Sequence, residues 1–205
     1  MRAVWLRLPL LLLPLVVGCS AASAASHSDA RIEPIDLTSI PADTIDATTP
    51  TLVLVNGLYY HNQHLFSGFV RERYPDGATK RIASYARGMQ HGVTRTFYPD
   101  GRARDVRSYR DNVGYGRHVG FWDNGNIKFD FLYVNDRREG LQKQWYRSGT
   151  PYAFLTFHDD REQGMQQAWR ESGRPYINYE VRDGVRYGLQ KSALCYTIED
   201  GEVQS

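Results

Sequence analysis

The segment YARGMQHGVTRTFYPDG, residues 85–101, decides the fold because versions of it return along the chain. Its first tyrosine and two of its glycines each belong to a series with a spacing of 24 residues. One series is Gly68, Gly92, Gly116, Gly140, Gly164 and Gly188, the second is Gly77, Gly101, Gly125, Gly149 and Gly173, and the third is Tyr85, Tyr109, Tyr133, Phe157 and Val181. A fixed period kept in three registers predicts a repeat architecture.

Each repeat contains two turn signals. Tyr98-Pro99-Asp100-Gly101 places proline where φ is near −65° and glycine where φ is positive, as in a hairpin built on a type I turn with a glycine bulge. About eleven residues later comes Asp111-Asn112, two residue types that tolerate left-handed backbone. The sequence therefore predicts an all-β fold, an elongated single-layer antiparallel meander of β-hairpins.

Bulky side chains also recur between the turns. One series is Phe97, Phe121, Trp145 and Trp169, and beside it runs Tyr74, Tyr98, Trp122 and Tyr146. Neighbouring strands lie about 4.8 Å apart, so rings in one register can contact from unit to unit. We expect these ladders to be structural.

The repeats occupy residues 68–187 as five units, and the flanking segments differ from them. Residues 51–67 contain Leu52-Val53-Leu54-Val55, the turn Asn56-Gly57 and a second apolar stretch, which predicts a hairpin. Residues 188–205 begin a sixth unit and then depart from the pattern. We interpret both segments as caps, because the terminal units of a repeat array have an unpaired side.

The first 18 residues have the features of a secretory signal peptide. Arg2 and Arg7 precede an apolar run, and no acidic residue is present. The run ends in Val16-Val17-Gly18-Cys19, which resembles the lipobox of bacterial lipoproteins and implies that Cys19 is acylated. Ser20, rather than Asp, follows and implies the outer membrane, facing the periplasm. The alternative is cleavage after Ala24, which would release a soluble periplasmic protein.

Residues 19–50 are predicted to be a disordered tether behind the lipidated cysteine. They are rich in Ala, Ser, Thr, Pro and Asp, they contain no aromatic residue, and they show no sustained apolar period. Such a composition buries too little apolar surface to offset the entropy lost on ordering.

The repeated pattern resembles the variant MORN repeat of bacteria. The residues that carry the resemblance are Tyr85-x-x-Gly88-x-x-x-Gly92, the pair Phe97-Tyr98 and Gly101, and the match extends from Gly68 to Gly188. The family, often labelled antitoxin-like, implies a sheet of hairpins that binds or scaffolds other molecules, and it implies no catalytic residue. Departures weaken the expectation of regular turns and ladders: Asn112, Asp136 and Asp160 replace the turn glycine, and Arg170 replaces an aromatic residue.

Residues that could support chemistry do not assemble into a recognised motif. His61-x-x-His64 offers two metal ligands where a site needs three or four. A phosphate-binding loop, a nucleophile elbow and a catalytic triad are all missing from the sequence. Cys195 follows apolar Ala193 and Leu194 and is interpreted as a buried cap residue, with a reactive or intermolecular thiol as the alternative. We therefore predict no enzyme activity, no cofactor and no metal.

Charge is unevenly distributed. Residues 68–118 carry 11 Lys and Arg against 5 Asp and Glu, whereas residues 119–205 carry 11 against 13. The basic half predicts a surface for an anionic partner, with Arg71, Arg95, Arg104 and Arg107 as the candidate residues, and a solvated polar face is the alternative. Removal of the signal leaves a net charge of zero, which gives no indication of nucleic-acid binding.

The sequence thus predicts a membrane-tethered, extracytoplasmic binding or scaffold module that presents a repetitive β surface to a protein or an anionic envelope component. One alternative is an antitoxin-like or immunity protein that neutralises a toxin by binding it. The other is an accessory protein that binds a metal or a small ligand through Cys195 and the histidines. Exposed residues of a repeat surface determine its specificity, so the sequence names no partner.

Overall fold

The structure is a computed structural model that describes residues 33–190 and the backbone of two short strands after residue 197. Over this described part the chain is all-β, without a helix. The strands are β1 Thr44–Asp46, β2 Leu52–Val55, β3 Leu58–His61, β4 His64–Leu65, β5 Gly68–Arg73, β6 Thr79–Ala86, β7 Met89–Phe97, β8 Ala103–Arg110, β9 Val113–Gly114, β10 Gly116–Phe121, β11 Ile127–Val134, β12 Arg137–Arg138, β13 Gly140–Trp145, β14 Pro151–His158, β15 Arg161–Trp169, β16 Pro175–Arg182, β17 Val185–Leu189, β18 Ile198–Glu199 and β19 Glu202–Val203.

The repeats form one open 14-stranded sheet. Its order is β1-β5-β6-β7-β8-β10-β11-β13-β14-β15-β16-β17, with β9 added to β8 and β12 added to β11. From β5 onward every strand pairs antiparallel with the strand that follows it along this path. This confirms the predicted meander of hairpins. Strands β18 and β19 pair with each other.

The first turn of each unit is the predicted glycine-bulge hairpin. At residues 98–102 the Tyr98 N–H donates to the Arg102 carbonyl at 2.8 Å, and the Gly101 N–H donates to the Tyr98 carbonyl at 2.9 Å. The register shifts between Thr96 and Phe97, where the bulge lies. Gly101 has a φ of 84°, a value that L-residues rarely adopt.

The inner members of the other glycine series lie at irregular points of the second hairpins, whereas Gly188 pairs regularly with Tyr179. In β7, for example, Ala83 pairs with Thr94 but Tyr85 pairs with Gln90, and Gly92 lies between these two registers with a φ of 89°. All members of the series have positive φ: Gly68, Gly92, Gly116, Gly140, Gly164 and Gly188. Glycine is needed there because the bulged backbone leaves the β region.

Side chains alternate between two faces of the sheet. We call the face that carries Val70, Ala83, Thr94, Gln142 and Gln166 the ladder face; these five side chains are buried. The other we call the opposite face. A continuous row of directly paired residues crosses it: Arg71, Ile82, Arg95, Val106, Val119, Asp130, Lys143, Phe154, Gln167, Asn178 and Leu189.

The predicted N-terminal hairpin forms a separate three-stranded sheet, β2-β3-β4. It packs on the ladder face of the first repeat, where Leu52 and Phe66 join Val70, Ala83 and Tyr85 in a buried cluster. Main-chain bonds hold it in place, since the Gly88 N–H donates to the Phe66 carbonyl at 2.7 Å. The cap therefore covers a face of the array and leaves the outer edge of β5 to another segment.

That segment is β1, and it corrects the prediction of a disordered tether through residue 50. β1 pairs parallel with β5, joining Ile45 to Val70, and the Ala47 N–H donates to the Arg71 carbonyl at 2.8 Å. Residues 33–50 are ordered because the edge of β5 offers unpaired backbone N–H and C=O groups. The three residues of β1 pair with these groups, and such pairing does not require a long apolar pattern in the sequence. The signal peptide, Cys19 and the tether up to residue 32 lie outside the described residues.

The turns are kept where asparagine or aspartate replaces the turn glycine, and the substituted side chains add bonds between units. Asn112 keeps a positive φ of 68°, and its side-chain Oδ1 accepts the Gln90 N–H at 2.6 Å. Asp136 likewise has a φ of 62° and accepts the Gly114 N–H at 2.6 Å. Asn and Asp tolerate this backbone and add an acceptor that glycine lacks.

The aromatic series that begins at Tyr74 connects the repeats, but through hydrogen bonds and not through the predicted ring-to-ring contacts, since no two of its rings are in contact in the described part of the chain. Its members donate from the side chain to a carbonyl 23 residues ahead: Tyr74 to Phe97, Tyr98 to Phe121, Trp122 to Trp145 and Tyr146 to Trp169, at 2.8 to 3.1 Å. Each bond connects one repeat to the next, so the ring body packs while its polar atom is satisfied.

Candidate binding surfaces

A second ladder of buried polar side chains stabilises the bulges. Thr94, His118, Gln142 and Gln166 share one register of the repeat and are all buried. The His118 Nε2 lies 2.8 Å from the Ser108 carbonyl oxygen, and Gln166 Nε2 donates to the Thr156 carbonyl at 2.7 Å. These side chains bond carbonyls beside the irregular points of the strands, and the Ser108 carbonyl also accepts the Tyr115 N–H at 3.1 Å. Burial lowers the pKa of His118.

The four predicted arginines do not form one surface. Arg71 and Arg95 lie on the opposite face, and Arg71 is paired through its Nε with Asp46 Oδ1 at 2.8 Å. The hydrogen bond from Arg71 lowers the pKa of Asp46. Arg95 is exposed and makes no ion pair with any other residue that the structure describes. Arg71 is therefore largely neutralised, while Arg95 is free in solvent.

Arg104 and Arg107 do come together, around a buried carboxylate. Asp105 is 6 % exposed on the ladder face, and its Oδ1 accepts a bond from Arg107 Nε at 3.1 Å. Its Oδ2 lies 3.5 Å from Arg104 Nε and accepts a bond from the Thr96 hydroxyl at 2.7 Å. Arg104 and Arg107 therefore form one cluster around Asp105, and Arg71 and Arg95 are not part of it.

An exposed apolar series lies on the opposite face, in the register directly after the repeat glycines. Leu141, Met165 and Leu189 are 45 %, 42 % and 42 % exposed. The same register holds Phe69 and Val93 in the first two units, where they are half-buried, and Arg117 in the third, so the exposed apolar members lie in the second half of the sheet. The sequence analysis did not predict this series, although an apolar residue directly follows each of Gly140, Gly164 and Gly188.

A further apolar surface lies on the cap. A cavity of about 480 Å³ is lined by Thr51, Val53, Val55, Tyr60, Asn62 and Gln63. Strand β2 has one neighbour, β3, among the described strands, and Val53 and Val55 are about half exposed. An exposed apolar edge of this kind is a frequent docking point for another chain.

The histidines of the sequence analysis are dispersed. His61 and His64 pair across the turn between β3 and β4, and the His64 Nδ1 lies 2.8 Å from the Asn62 carbonyl oxygen. His158 contacts Glu139 at 2.9 Å, and this hydrogen bond raises its pKa. Across residues 33–190 no three His, Cys, Asp or Glu side chains converge as a metal site would require. Cys195 lies outside the described residues.

Fold and surface together define a class, the open β-hairpin repeat proteins. Comparison with protein-family models and with curated proteins found no match to this chain. The resemblance to the variant MORN repeat therefore stays a prediction. A search of the described residues for a helix long and apolar enough to cross a membrane found none.

Proposed function

We propose that this chain is a binding module whose sheet presents its opposite face to a protein partner in the cell envelope. The observation that carries the proposal is the exposed series Leu141, Met165 and Leu189. Three exposed apolar side chains at the same position of successive repeats offer a partner evenly spaced contacts on one face, which distinguishes them from single exposed apolar residues.

The geometry of the sheet makes this row suitable for recognition. Successive members are two strands apart, which corresponds to about 9.6 Å across a sheet. Their backbones are fixed by ladder hydrogen bonds on β13, β15 and β17, so docking would order few residues that are not already ordered. Leu141 pairs with Thr156 on β14, the strand between β13 and β15, and Met165 pairs with Glu180 on β16, the strand between β15 and β17, so polar side chains alternate with the apolar ones across the sheet. A rigid surface on which apolar and polar side chains alternate offers a partner both apolar contacts and hydrogen bonds.

The position of the module in the cell is a second part of the proposal. The apolar run that ends at Cys19 supports attachment to the outer membrane through an acylated cysteine. Mass spectrometry of the mature N-terminus tests this directly. We expect a chain that begins at a lipid-modified Cys19, and an unmodified chain that begins at Ala25 would contradict it.

The binding surface is tested with a double variant, Leu141→Ser with Met165→Ser. The control is Ile127→Ser, which removes an equally exposed apolar side chain (41 %) outside the series. Both proteins are crosslinked in intact cells, and their adducts are compared with those of the wild type. We expect the double variant to lose an adduct that Ile127→Ser retains, while both keep the melting temperature of the wild type within a few degrees.

The proposal fails if the double variant and the control give the same adducts as the wild type. A loss of the adduct in both variants would also contradict it, because that result would assign the effect to surface hydrophobicity in general.

A further inference from the structure

The environment of Asp105 separates this acidic residue from the surface ion pairs. Its side chain is nearly buried, at 9 % exposure, whereas the Arg104 and Arg107 side chains are 48 % and 43 % exposed. Both of its contacts with the arginines involve Nε and leave the two terminal nitrogens of each guanidinium without a hydrogen-bond partner among the described residues. The carboxylate therefore orients two guanidinium groups and leaves their outer donors available.

A third cation lies in the same recess. Lys128 lines it together with Arg104 and Arg107, and the Lys128 Nζ lies 4.4 Å from the centre of the Trp122 ring. Three cations and one carboxylate give the recess a formal charge of +2. A dianion would neutralise it, and a phosphate monoester carries a charge of about −1.5 to −2 at neutral pH.

Aromatic rings form the remaining walls. Tyr98, Phe121 and Phe129 line the recess, whose volume is about 290 Å³. The Phe129 ring lies over Gly120, where a Cβ would come within 2.5 Å of Phe129 Cζ, and it stacks on Phe131 at 4.9 Å. The glycine thus allows an aromatic wall to lie flat beside the arginines. The volume is at the lower end of small-molecule pockets, so it suits a compact ligand.

We propose that this recess is a binding site for a small organic phosphate with a body about the size of a monosaccharide. The terminal nitrogens of Arg104 and Arg107 bind the phosphate oxygens as paired donors, and Lys128 adds a point charge. The body of the ligand packs against Phe129. This site is distinct from the apolar row on the opposite face, so either proposal can fail without the other.

Isothermal titration calorimetry of the full chain with glucose 6-phosphate tests the site, with glucose as the uncharged comparison. We expect binding of glucose 6-phosphate that weakens as salt is added, and no binding of glucose. Arg107→Gln should weaken binding by about tenfold or more, because a charge-assisted hydrogen bond is lost. The matched control is Arg95→Gln, which removes the same charge from the opposite face and should change binding less than about twofold, as a screened distant charge does.

A variant of Asp105 separates the effect of orienting the two arginines from the effect of the total charge of the recess. Asp105→Asn makes the recess more positive yet releases the two arginines, so we expect weaker binding in spite of the added charge. Tighter binding would overturn the orienting role of Asp105. Should Asp105→Asn fail to fold, Arg104→Gln replaces it and is expected to weaken binding to a similar extent as Arg107→Gln. The site is refuted if glucose 6-phosphate does not bind at millimolar concentration, or if Arg95→Gln weakens binding as much as Arg107→Gln.

Discussion

His118 offers a sharp test of the buried polar ladder, because its register holds glutamine in two other repeats. His118 is 6 % exposed, and its Nε2 bonds the Ser108 carbonyl at 2.8 Å; Gln142 bonds the Leu132 carbonyl from the equivalent position at 3.1 Å. In His118→Leu the Ser108 carbonyl loses the bond from the imidazole and keeps the one from the Tyr115 N–H at 3.1 Å, so the lost hydrogen bond costs about 0.5–1.5 kcal/mol of unfolding free energy, in addition to the lost ring contacts. His118→Gln can restore the bond and gives up the ring contact with Tyr133 at 4.7 Å, a loss of about 0.5–1.5 kcal/mol.

The pH dependence of the unfolding free energy gives a second test of the role of His118. Burial lowers the pKa of His118 below its usual 6.5. The hydrogen bond to Ser108 and the charges of Asp105 and Asp136 oppose this effect. The unfolded chain therefore binds a proton more readily than the folded chain, and the stability from neutral His118 is present above about pH 6.5 and is lost as the pH falls below it. His118→Gln lacks this loss. The raised pKa of His158 acts in the opposite direction and is common to both proteins.

The assay is urea unfolding at pH 7.5 and pH 5.5. We expect the wild type to lose stability relative to His118→Gln on acidification, and we expect His118→Leu to be the least stable of the three at pH 7.5. If His118→Gln is as destabilised as His118→Leu, or if the wild type and His118→Gln respond equally to pH, the proposed role of the ladder is wrong.

Three further predictions concern the turns and the C-terminal repeats. Gly101→Val should destabilise the fold by about 1–3 kcal/mol through backbone strain alone, since a Cβ there meets no atom within 4 Å; exposed Arg174→Ala, measured in the same urea series, should cost less than about 0.5 kcal/mol. Asp136→Ala should lower the melting temperature because the Gly114 N–H loses its acceptor, whereas Asp136→Asn should retain most of the stability; equal loss in both would contradict the proposed bond. Burial and the hydrogen bond with Tyr152 raise the pKa of Tyr176 to about 12, so spectrophotometric titration of Tyr176→Phe should lack one phenol that ionises near that pH, and an unchanged curve would refute the shift.

The periodic part of the fold could be predicted from the sequence because its determinants are local. Gly101 after Tyr-Pro-Asp specifies a turn within four residues, and repetition fixes the order of the strands. The asparagine and aspartate substitutions were harder to interpret, since the acceptor role of Asp136 depends on an amide 22 residues away.

The N-terminal segment shows the limit of such reasoning. Residues 33–50 contain few apolar side chains, and composition alone favours disorder. What orders them is not in the segment itself: the edge of β5 pairs with β1, and Gly92 leaves space for the side chains of Leu37 and Ile40, whose terminal carbons lie 2.8 and 3.2 Å from where its Cβ would be. Contacts of this kind depend on surfaces that exist only after the repeats have folded.

The candidate sites could be predicted only in part. Charge counting found Arg104 and Arg107 but also Arg71, and the sequence does not show that Asp46 neutralises Arg71 from a segment outside the repeats. The burial of Asp105 and the flat placement of Phe129 over Gly120 arise from cross-strand pairing between β8, β10 and β11, which the repeat period alone does not resolve.

Site-specific photocrosslinking in cells tests the central claim, recognition through the opposite face, most directly. A photoreactive phenylalanine analogue is placed at Met165 in one protein and at Asp183, an exposed turn residue outside the apolar row, in another. We predict one discrete protein adduct from position 165 and none of that mass from position 183. Identical adduct patterns from the two positions, or no adduct from position 165 in a correctly folded protein, would contradict the account.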